Sequence, residues 1–242
     1  MRRSALAMLA AGCCLLAHGA AAQETDQDAI VRDLLSHDFE RIRDALERLP
    51  LVYIHDAPPG GAHFEFPKGF EPTTELVEAL VTAYDRTPNG ELRNGLRKPL
   101  IATRHPLTID VLTRTLYTGN AAKDGLLYFG PSVLPGVVDL AMSPEATPNE
   151  ATGAMSALKA AVERWDGELG PEIRGAMKEA AILHLEGAPD SFASAGSHMS
   201  GFLFDDAVAL AEVLRDPELT AIAYNARHPS TGKPGAERGS PR

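Results

Sequence analysis

The chain has 242 residues and a formal net charge of −10 at pH 7, from 33 acidic and 23 basic residues. A negative field of this size opposes nucleic acid and anionic lipid as partners, because binding to phosphate relies on lysine and arginine. A chain of this length buries a sizeable core without support from disulfides or metals.

The first 22 residues contain the three parts of a secretory signal peptide. An arginine pair provides the charged start, residues 5–17 are apolar but too few to cross a bilayer, and residues 20–22 form a small-residue exit. We expect cleavage of residues 1–22 after Ala22, which makes the mature protein periplasmic or secreted. Loss of the two arginines would leave 21 basic and 33 acidic residues, a net charge of −12.

Two other interpretations of this segment stay open. Residues 10–13 resemble a bacterial lipoprotein box, which would make Cys13 the lipidated residue, although the usual leucine is displaced to Leu9. The pair Arg2 and Arg3 resembles a twin-arginine signal, but the flanking pattern is missing. Both cysteines of the chain lie in this segment, so the mature protein is expected to have no disulfide.

Beyond this segment, apolar side chains mostly follow the three- and four-residue spacing that is typical of amphipathic helices. The predicted helices, in chain order, lie near residues 26–36, 38–49, 74–86, 89–103, 106–117, 121–129, 131–142, 147–165, 168–186, 203–214 and 217–226. Short segments with Pro, Gly, Asn or Asp separate them. Together they predict a single helical domain over residues 23–226.

Residues 51–71 form an insertion in this helical pattern. The apolar positions are Val52, Ile54, Phe64 and Phe66, and the polar positions are Tyr53, His55, His63 and Glu65. Their strict alternation around "DAPPGG" predicts a small amphipathic β-hairpin near residues 51–66. Pairing odd with odd positions sets Tyr53 opposite Glu65 and gathers the apolar side chains on the other face. We expect the polar face to bind a protein partner through Tyr53, His55, His63 and Glu65.

The symmetric register of this hairpin also supports a metal site. It sets His55 opposite His63, with Glu65 on the same face and Asp56 at the end of the strand. Opposed side chains on paired strands have Cβ atoms about 5 Å apart, so two imidazoles and a carboxylate converge as they do in catalytic zinc sites. The second interpretation is therefore a metal-binding protein or a metal-dependent hydrolase that uses these four residues. The first interpretation requires no cofactor.

The helix at 147–165 has the strongest start signal in the chain. Thr147 and Glu150 have the spacing of a capping box, and Pro148 suits the first helical position. Two segments predict the absence of regular structure. Residues 191–202, which include His198, are rich in small residues and predict a loop, and residues 227–242 predict a disordered tail.

Catalytic motifs fail when their context is considered. Ser156 and Lys159 match the Ser-x-x-Lys pattern of penicillin-recognising enzymes, but they lie deep in the strongest helix and the partner motifs are missing. His184 lies near the end of a predicted helix, where a histidine is expected to bond the last carbonyls. The sequence therefore favours a protein without catalytic activity.

Two sequence patterns recur along the chain. An apolar-Gly-Pro-x-apolar start opens "FGPSVLPGVVDLAM" at Phe129 and "LGPEIRGAMKEAAI" at Leu169, an offset of 40 residues. An apolar-Arg-x-small-apolar pattern occupies residues 42–46, 92–96 and 173–177. These segments resemble the HEAT repeat family, an armadillo-type α-α superhelix whose units are antiparallel helix pairs of similar length.

The resemblance implies an all-α fold, a right-handed α-α solenoid of HEAT-like helix pairs with the hairpin as an insertion. A non-repetitive helical bundle is the alternative. Solenoid surfaces hold other proteins over extended contacts, so the resemblance implies a protein-binding scaffold or adaptor in the cell envelope. A periplasmic inhibitor or immunity-type protein is a further version, which the acidic charge favours. We expect neither a nucleic acid partner nor an integral membrane span.

Overall fold

Helices make up most of the computed structural model, which describes residues 26–54, 63–186 and 198–228. Several predictions fall on residues outside these ranges. They concern the signal peptide with Cys13, the hairpin residues His55 and Asp56, and nearly all of the C-terminal tail.

The described ranges contain eleven helices and one pair of strands. The helices are α1 (26–34), α2 (Phe39–Arg48), α3 (Thr74–Arg86), α4 (Gly90–Thr103), α5 (Ile109–Arg114), α6 (Asn120–Leu127), α7 (Leu134–Met142), α8 (Pro148–Trp165), α9 (Pro171–Glu186), α10 (His198–Leu214) and α11 (Pro217–Arg227). Single 3₁₀ turns lie at Pro106–Thr108, Leu116–Thr118 and Pro131–Val133. The strands β1 (Val52–Ile54) and β2 (His63–Glu65) are antiparallel. The predicted helical class with one small β element near residues 51–66 is confirmed.

Capping side chains fix where several helices begin. The Thr147 hydroxyl accepts a hydrogen bond from the Glu150 amide at 3.3 Å, and the Glu150 carboxylate accepts one from the Thr147 amide at 2.8 Å. The predicted capping box of α8 is therefore confirmed. Side chains also cap α2, α3, α4 and α11, through Asp38, Thr73, Asn89 and Asp216. Such caps typically stabilise a helix by about 1 kcal/mol each.

The start of α10 differs from its prediction. The sequence pattern placed His198 in a loop and began the helix at residue 203, whereas α10 begins at His198. Serine and glycine at positions 200 and 201 have low helix propensity, which concealed the first turn. His198 is therefore a helical residue.

The chain forms two compact units. The described part of the first unit comprises residues 26–54, 63–113 and 119–129. The described part of the second comprises residues 114–118, 130–186 and 198–228. The strand pair belongs to the first unit.

In the first unit α4 is the helix that positions the strand pair. It packs against α2, α3, α6 and β2. Its Leu96 and Leu100 are fully buried in a core that includes side chains of α1, α2 and α3. Because α4 contacts both this core and β2, its outward side chains reach the strand pair.

A buried amide ties the segment after β2 to α1. The Gln27 side chain donates to the carbonyl of Glu71 at 3.0 Å and accepts from the amide of Thr73 at 2.9 Å. Gln27 is only 3% exposed, and these partners lie 44 and 46 residues away in sequence. Thr73 also caps α3, so one side chain fixes both the end of the β segment and the start of the next helix.

In the second unit helices contact both the next helix and the one after it. α7 packs against α8 and α9, α8 packs against α10, and α9 packs against α10 and α11. Nε2 of His184 in α9 lies 2.7 Å from the carbonyl oxygen of Ala141 in α7, so this nitrogen donates a hydrogen bond. The histidine thus bonds a carbonyl near a helix end, but on a different helix from its own.

Candidate partner-binding surface

The register of the strand pair is one residue away from the symmetric register that the alternation predicts. Val52 pairs with Glu65, Tyr53 with Phe64, and Ile54 with His63. Directly opposed residues share a face, so Tyr53 and Phe64 lie on one face and Val52 and Glu65 on the other. The predicted separation into an apolar and a polar face is therefore wrong, because each face combines both kinds of residue.

Solvent reaches both faces of the strand pair. Val52 is 42% exposed and Tyr53 is 46% exposed, and successive strand residues point to opposite faces. Phe64 and Glu65 are both half-buried. The strand pair therefore lacks the fully buried face that sets register in a larger sheet.

The Lys98 face comprises Tyr53, Phe64 and Lys98. The Tyr53 and Phe64 rings are tilted by 42°, with centroids 5.0 Å apart. Nζ of Lys98 lies 5.7 Å from the centroid of the Phe64 ring, within the range of a cation–π contact. Lys98 is exposed, and no carboxylate of the described ranges pairs with it. The half-buried Phe64 ring thus contacts both the exposed ring of Tyr53 and the exposed ammonium group of Lys98.

The Arg104 face comprises Glu65, Arg104 and Tyr128. Arg104 donates a hydrogen bond from Nη2 to Oε1 of Glu65, and its guanidinium carbon lies 4.5 Å from the centroid of the Tyr128 ring. Tyr128 is 51% exposed. The arginine therefore has both a ring and a carboxylate as partners. An exposed ion pair of this kind contributes on the order of 0.2–1 kcal/mol.

Arg104 also has an unusual backbone conformation. It ends α4 in the left-handed region, with φ 49° and ψ 33°. Glycine is the residue that adopts this conformation most readily, and other residues adopt it at a cost of roughly 1–2 kcal/mol. The left-handed turn ends α4 at the point where Arg104 reaches both Glu65 and Tyr128.

The four polar hairpin residues have different outcomes in the structure. Tyr53 and Glu65 lie in the two faces just described. His63 forms part of β2 and pairs with Ile54 rather than with His55, but its side chain, His55 and Asp56 lie outside what the structure describes. Their predicted roles in partner or metal binding therefore stay predictions.

Metal ligation would have to compete with an existing contact at Glu65. Its carboxylate already accepts a hydrogen bond from Arg104, and a metal ion there would displace the guanidinium group. In the part of the chain that the structure describes, no group of three or more His, Cys, Asp or Glu residues is arranged to hold a metal ion.

The sequence pattern missed the long-range members of both faces. Lys98 and Arg104 belong to the segment 90–104, which has four basic residues and one acidic residue in a chain with excess acid, and this contrast is the signal that could have pointed to them. Tyr128 gave no signal, because it follows a helix of ordinary amphipathic pattern. Phe64 was expected on an apolar face with Val52 and Ile54, whereas the actual register pairs it with Tyr53.

A small cleft in the first unit is a weaker candidate site. It has a volume of about 140 Å³ and is lined by Leu34, Ser36, His37, Phe39, Ile42, Ala83, Arg86 and Thr87. Pockets for small-molecule ligands usually measure roughly 300–1,000 Å³. The cleft is therefore too small to hold such a ligand.

An ion-pair cluster joins α1 to α2. Asp33 of α1 accepts hydrogen bonds from Arg41 and Arg48 of α2. The hydrogen bond from Arg41 is the main cause that holds the pKa of Asp33 below its ordinary value of 3.8. The cluster satisfies its own charges, which is typical of a structural contact.

A second cluster joins α9 to α11. Lys178 donates to Glu218 at 2.8 Å and to Asp216 at 3.0 Å. The hydrogen bond to Glu218, followed by that to Asp216, raises the pKa of Lys178 above 10.5. Asp216 also caps α11, so this cluster too has a structural role.

Comparisons of the chain with protein-family models, with curated proteins and with solved structures find no match. Function must therefore be inferred from the surfaces themselves. Within residues 26–54, 63–186 and 198–228, no individual helix combines the length and the apolar character that crossing a membrane requires.

Proposed function

We propose that the protein is a scaffold or adaptor that binds another protein through the strand pair and the neighbouring side chains of Lys98, Arg104 and Tyr128. The exposure of both faces of the strand pair, seen at Val52 and Tyr53, carries this proposal. An antiparallel sheet with a purely structural role usually packs one face against the core. Aromatic residues and arginine, moreover, are the residue types that anchor protein interfaces.

The finer architecture that we propose is a right-handed solenoid of stacked helix pairs. Equivalent helices of successive pairs contact each other in such an array. The contacts of α7 with α9 and of α8 with α10 support this arrangement for the second unit. The Gly-Pro pairs support it with their offset of 40 residues, since Pro131 begins the 3₁₀ turn before α7 and Pro171 is the first residue of α9.

The arginine pattern supports the HEAT resemblance less well. Residues 173–177 lie in α9, which the Gly-Pro pattern makes the first helix of a pair. In the HEAT family the apolar-Arg start is a feature of the second helix, so the two patterns assign α9 to different positions. The contact of α9 with α7 favours α9 as the first helix of its pair.

The proposed scaffold acts in the cell envelope or outside the cell. The support is the signal-peptide pattern of residues 1–22, with its charged start, apolar centre and small-residue exit. The excess of acidic residues agrees with a protein partner better than with nucleic acid.

Photocrosslinking tests this proposal. A photoreactive amino acid is placed at position 52 or 53, on opposite faces of the strand pair, and in a control at position 183, where Leu183 is 48% exposed on α9. We expect one protein to be captured from envelope extract at position 52 or 53 but not at position 183. Once purified, this protein should also bind the chain that carries no photoreactive residue. Equal capture at all three positions, or failure of the purified protein to bind, would overturn the proposal.

A further inference from the structure

The two faces of the strand pair carry the same kind of contact but differ in their charge balance. On the Arg104 face, a cation lies on the Tyr128 ring and the chain supplies a carboxylate from Glu65. On the Lys98 face, a cation lies on the Phe64 ring, and the described ranges supply no carboxylate. The Arg104 face thus has a cation, a ring and a carboxylate, whereas the Lys98 face has a cation and a ring only.

A carboxylate can be added at Lys98 without breaking any described contact of that side chain. A cation–π contact uses the charge of the ammonium group but none of its hydrogen bonds, so three N–H donors stay available. The Phe64 ring also limits the freedom of the lysine side chain, which reduces the entropy that binding costs. A carboxylate that arrives there gains a charge-assisted hydrogen bond.

The neighbouring rings determine what accompanies the carboxylate. Phe64 contacts both other members of this face, with 5.7 Å between its ring centroid and Nζ of Lys98 and 5.0 Å between its centroid and that of Tyr53. In an extended peptide, side chains two residues apart lie on one face at a separation of roughly 7 Å. Nζ of Lys98 and the Tyr53 ring are no farther apart than the 5.7 Å and 5.0 Å distances combined. Two side chains on one face of a peptide can therefore reach both, a carboxylate at Lys98 and an apolar side chain at Tyr53.

On the basis of the proposed function, we infer that the protein partner presents an acidic segment to the Lys98 face. Its Asp or Glu binds Nζ of Lys98, and an aromatic or large apolar side chain two residues away packs on the exposed ring of Tyr53. Charge complementarity restricts the occupant to a short acidic segment. The surrounding net charge of −10 repels polyanions such as nucleic acid or anionic membranes, but acts less on one or two carboxylates.

Fluorescence anisotropy with a defined probe tests this inference. The probe is a fluorescein-labelled peptide, Gly-Ser-Glu-Ser-Trp-Ser-Glu-Gly, which offers a carboxylate on either side of the aromatic residue. A second peptide carries Gln in place of both Glu residues. We expect the acidic peptide to bind the mature protein more tightly than the Gln peptide does, with an affinity that falls as salt is added. Equal binding of the two peptides, or no binding of either, would overturn the inference.

Three substitutions at one position assign the contact to Lys98. Lys98→Met keeps the length of the side chain without its charge and should lower the affinity for the acidic peptide by up to about fivefold, the upper end of the range measured for exposed ion pairs. Lys98→Arg should retain binding, and Lys98→Glu should weaken it further. Arg32→Met removes an exposed cation of α1 and is the matched control, because it should leave the affinity unchanged. An equal loss in both Met variants would contradict a local contact.

One further variant tests an internal occupant. If Asp56→Asn binds the acidic peptide and the wild type does not, the chain's own carboxylate occupies Lys98 and the inference is wrong.

Failure of the acidic-segment inference can be distinguished from failure of the proposed function. A captured partner that binds Lys98→Glu as tightly as wild type would overturn the acidic segment but leave the scaffold in place.

Discussion

Tyr53 and Phe64 lie directly opposite each other across the strand pair, and their rings are 5.0 Å apart. Aromatic pairs of this kind contribute roughly 0.5–1.5 kcal/mol beyond the area that they bury. Phe64 is half-buried and contacts Lys98, whereas Tyr53 is 46% exposed. The two rings therefore differ in their surroundings. Phe64 anchors the strand pair to α4, whereas the outer surface of Tyr53 is open to solvent, where we propose that a partner binds.

Among the described glycines of the second unit, Gly153 should be the one that least tolerates a larger side chain. A Cβ at this position of α8 would lie 2.6 Å from the carbonyl carbon of Leu116 and 2.8 Å from Cα of Tyr117. Backbone atoms cannot rotate away, so we expect Gly153→Ala to lower the free energy of unfolding by about 1–3 kcal/mol or more. Urea unfolding followed by circular dichroism measures the change.

Gly175 provides the matched control for this substitution. It lies in α9, is exposed, and a Cβ there would meet no atom within 4 Å. Gly175→Ala should stabilise the protein by about 0.5–1 kcal/mol, because alanine has the higher helix propensity. If Gly153→Ala were as stable as Gly175→Ala, the close approach of α8 to the 3₁₀ turn at Leu116–Thr118 would be wrong.

Loss of the Gln27 amide should loosen the segment that follows β2. Gln27→Met keeps the size of the side chain but leaves the Glu71 carbonyl and the Thr73 amide without their partner. An unsatisfied buried group costs about 1–3 kcal/mol, so we expect a loss of this order in the free energy of unfolding. Hydrogen exchange at the Thr73 amide is the specific measurement, and it should be faster in the variant. An unchanged exchange rate would contradict the role given to Gln27.

Acid should weaken the junction of α1 and α2. The hydrogen bond from Arg41, assisted by Arg48, holds the pKa of Asp33 below its ordinary value of 3.8. Its contribution to stability is present above pH 3.8 and is lost as the pH falls through the lower, folded-state pKa. Asp33→Asn should therefore melt below wild type at neutral pH, and the two melting temperatures should converge in strong acid. The exposed Asp44→Asn control should show no such convergence, and a constant difference for Asp33→Asn would contradict the linkage.

The metal hypothesis has a direct calorimetric test. The scaffold proposal requires no metal, so titration of the mature protein with zinc should give no saturable heat. Saturable heat that disappears in both His55→Ala and His63→Ala would instead establish the metal interpretation. Glu65→Gln then decides whether Glu65 is a ligand, since its carboxylate is paired with Arg104 in the structure.

Local patterns in the sequence predicted the helices and the presence of the strand pair. The capping box of Thr147 and Glu150 and the boundaries of α3 are local, because each depends on residues within one helical turn. The register of the strand pair was not predictable in this way. Alternation sets register only where one face is buried, and here Val52 and Tyr53 are exposed on opposite faces.

The candidate site was predictable only in part, because its members lie far apart in the chain. Tyr53 and Glu65 were identified because they lie in the alternating segment itself. The cations that complete the two faces, Lys98 and Arg104, lie 34 residues from Phe64 and 39 residues from Glu65 in the chain. Tyr128 is further still, and only the packing of α4 and α6 against β2 brings these side chains together.

The most direct test of the scaffold proposal is the affinity of the captured partner for the wild type and for Tyr53→Ser, measured by calorimetry. Aromatic residues at the centre of an interface typically contribute more than 1 kcal/mol, so the proposal predicts at least about a fivefold loss of affinity. The melting temperature should stay close to that of wild type, because Tyr53 is 46% exposed. Equal affinity of the partner for both proteins would contradict the proposal that the strand pair binds it.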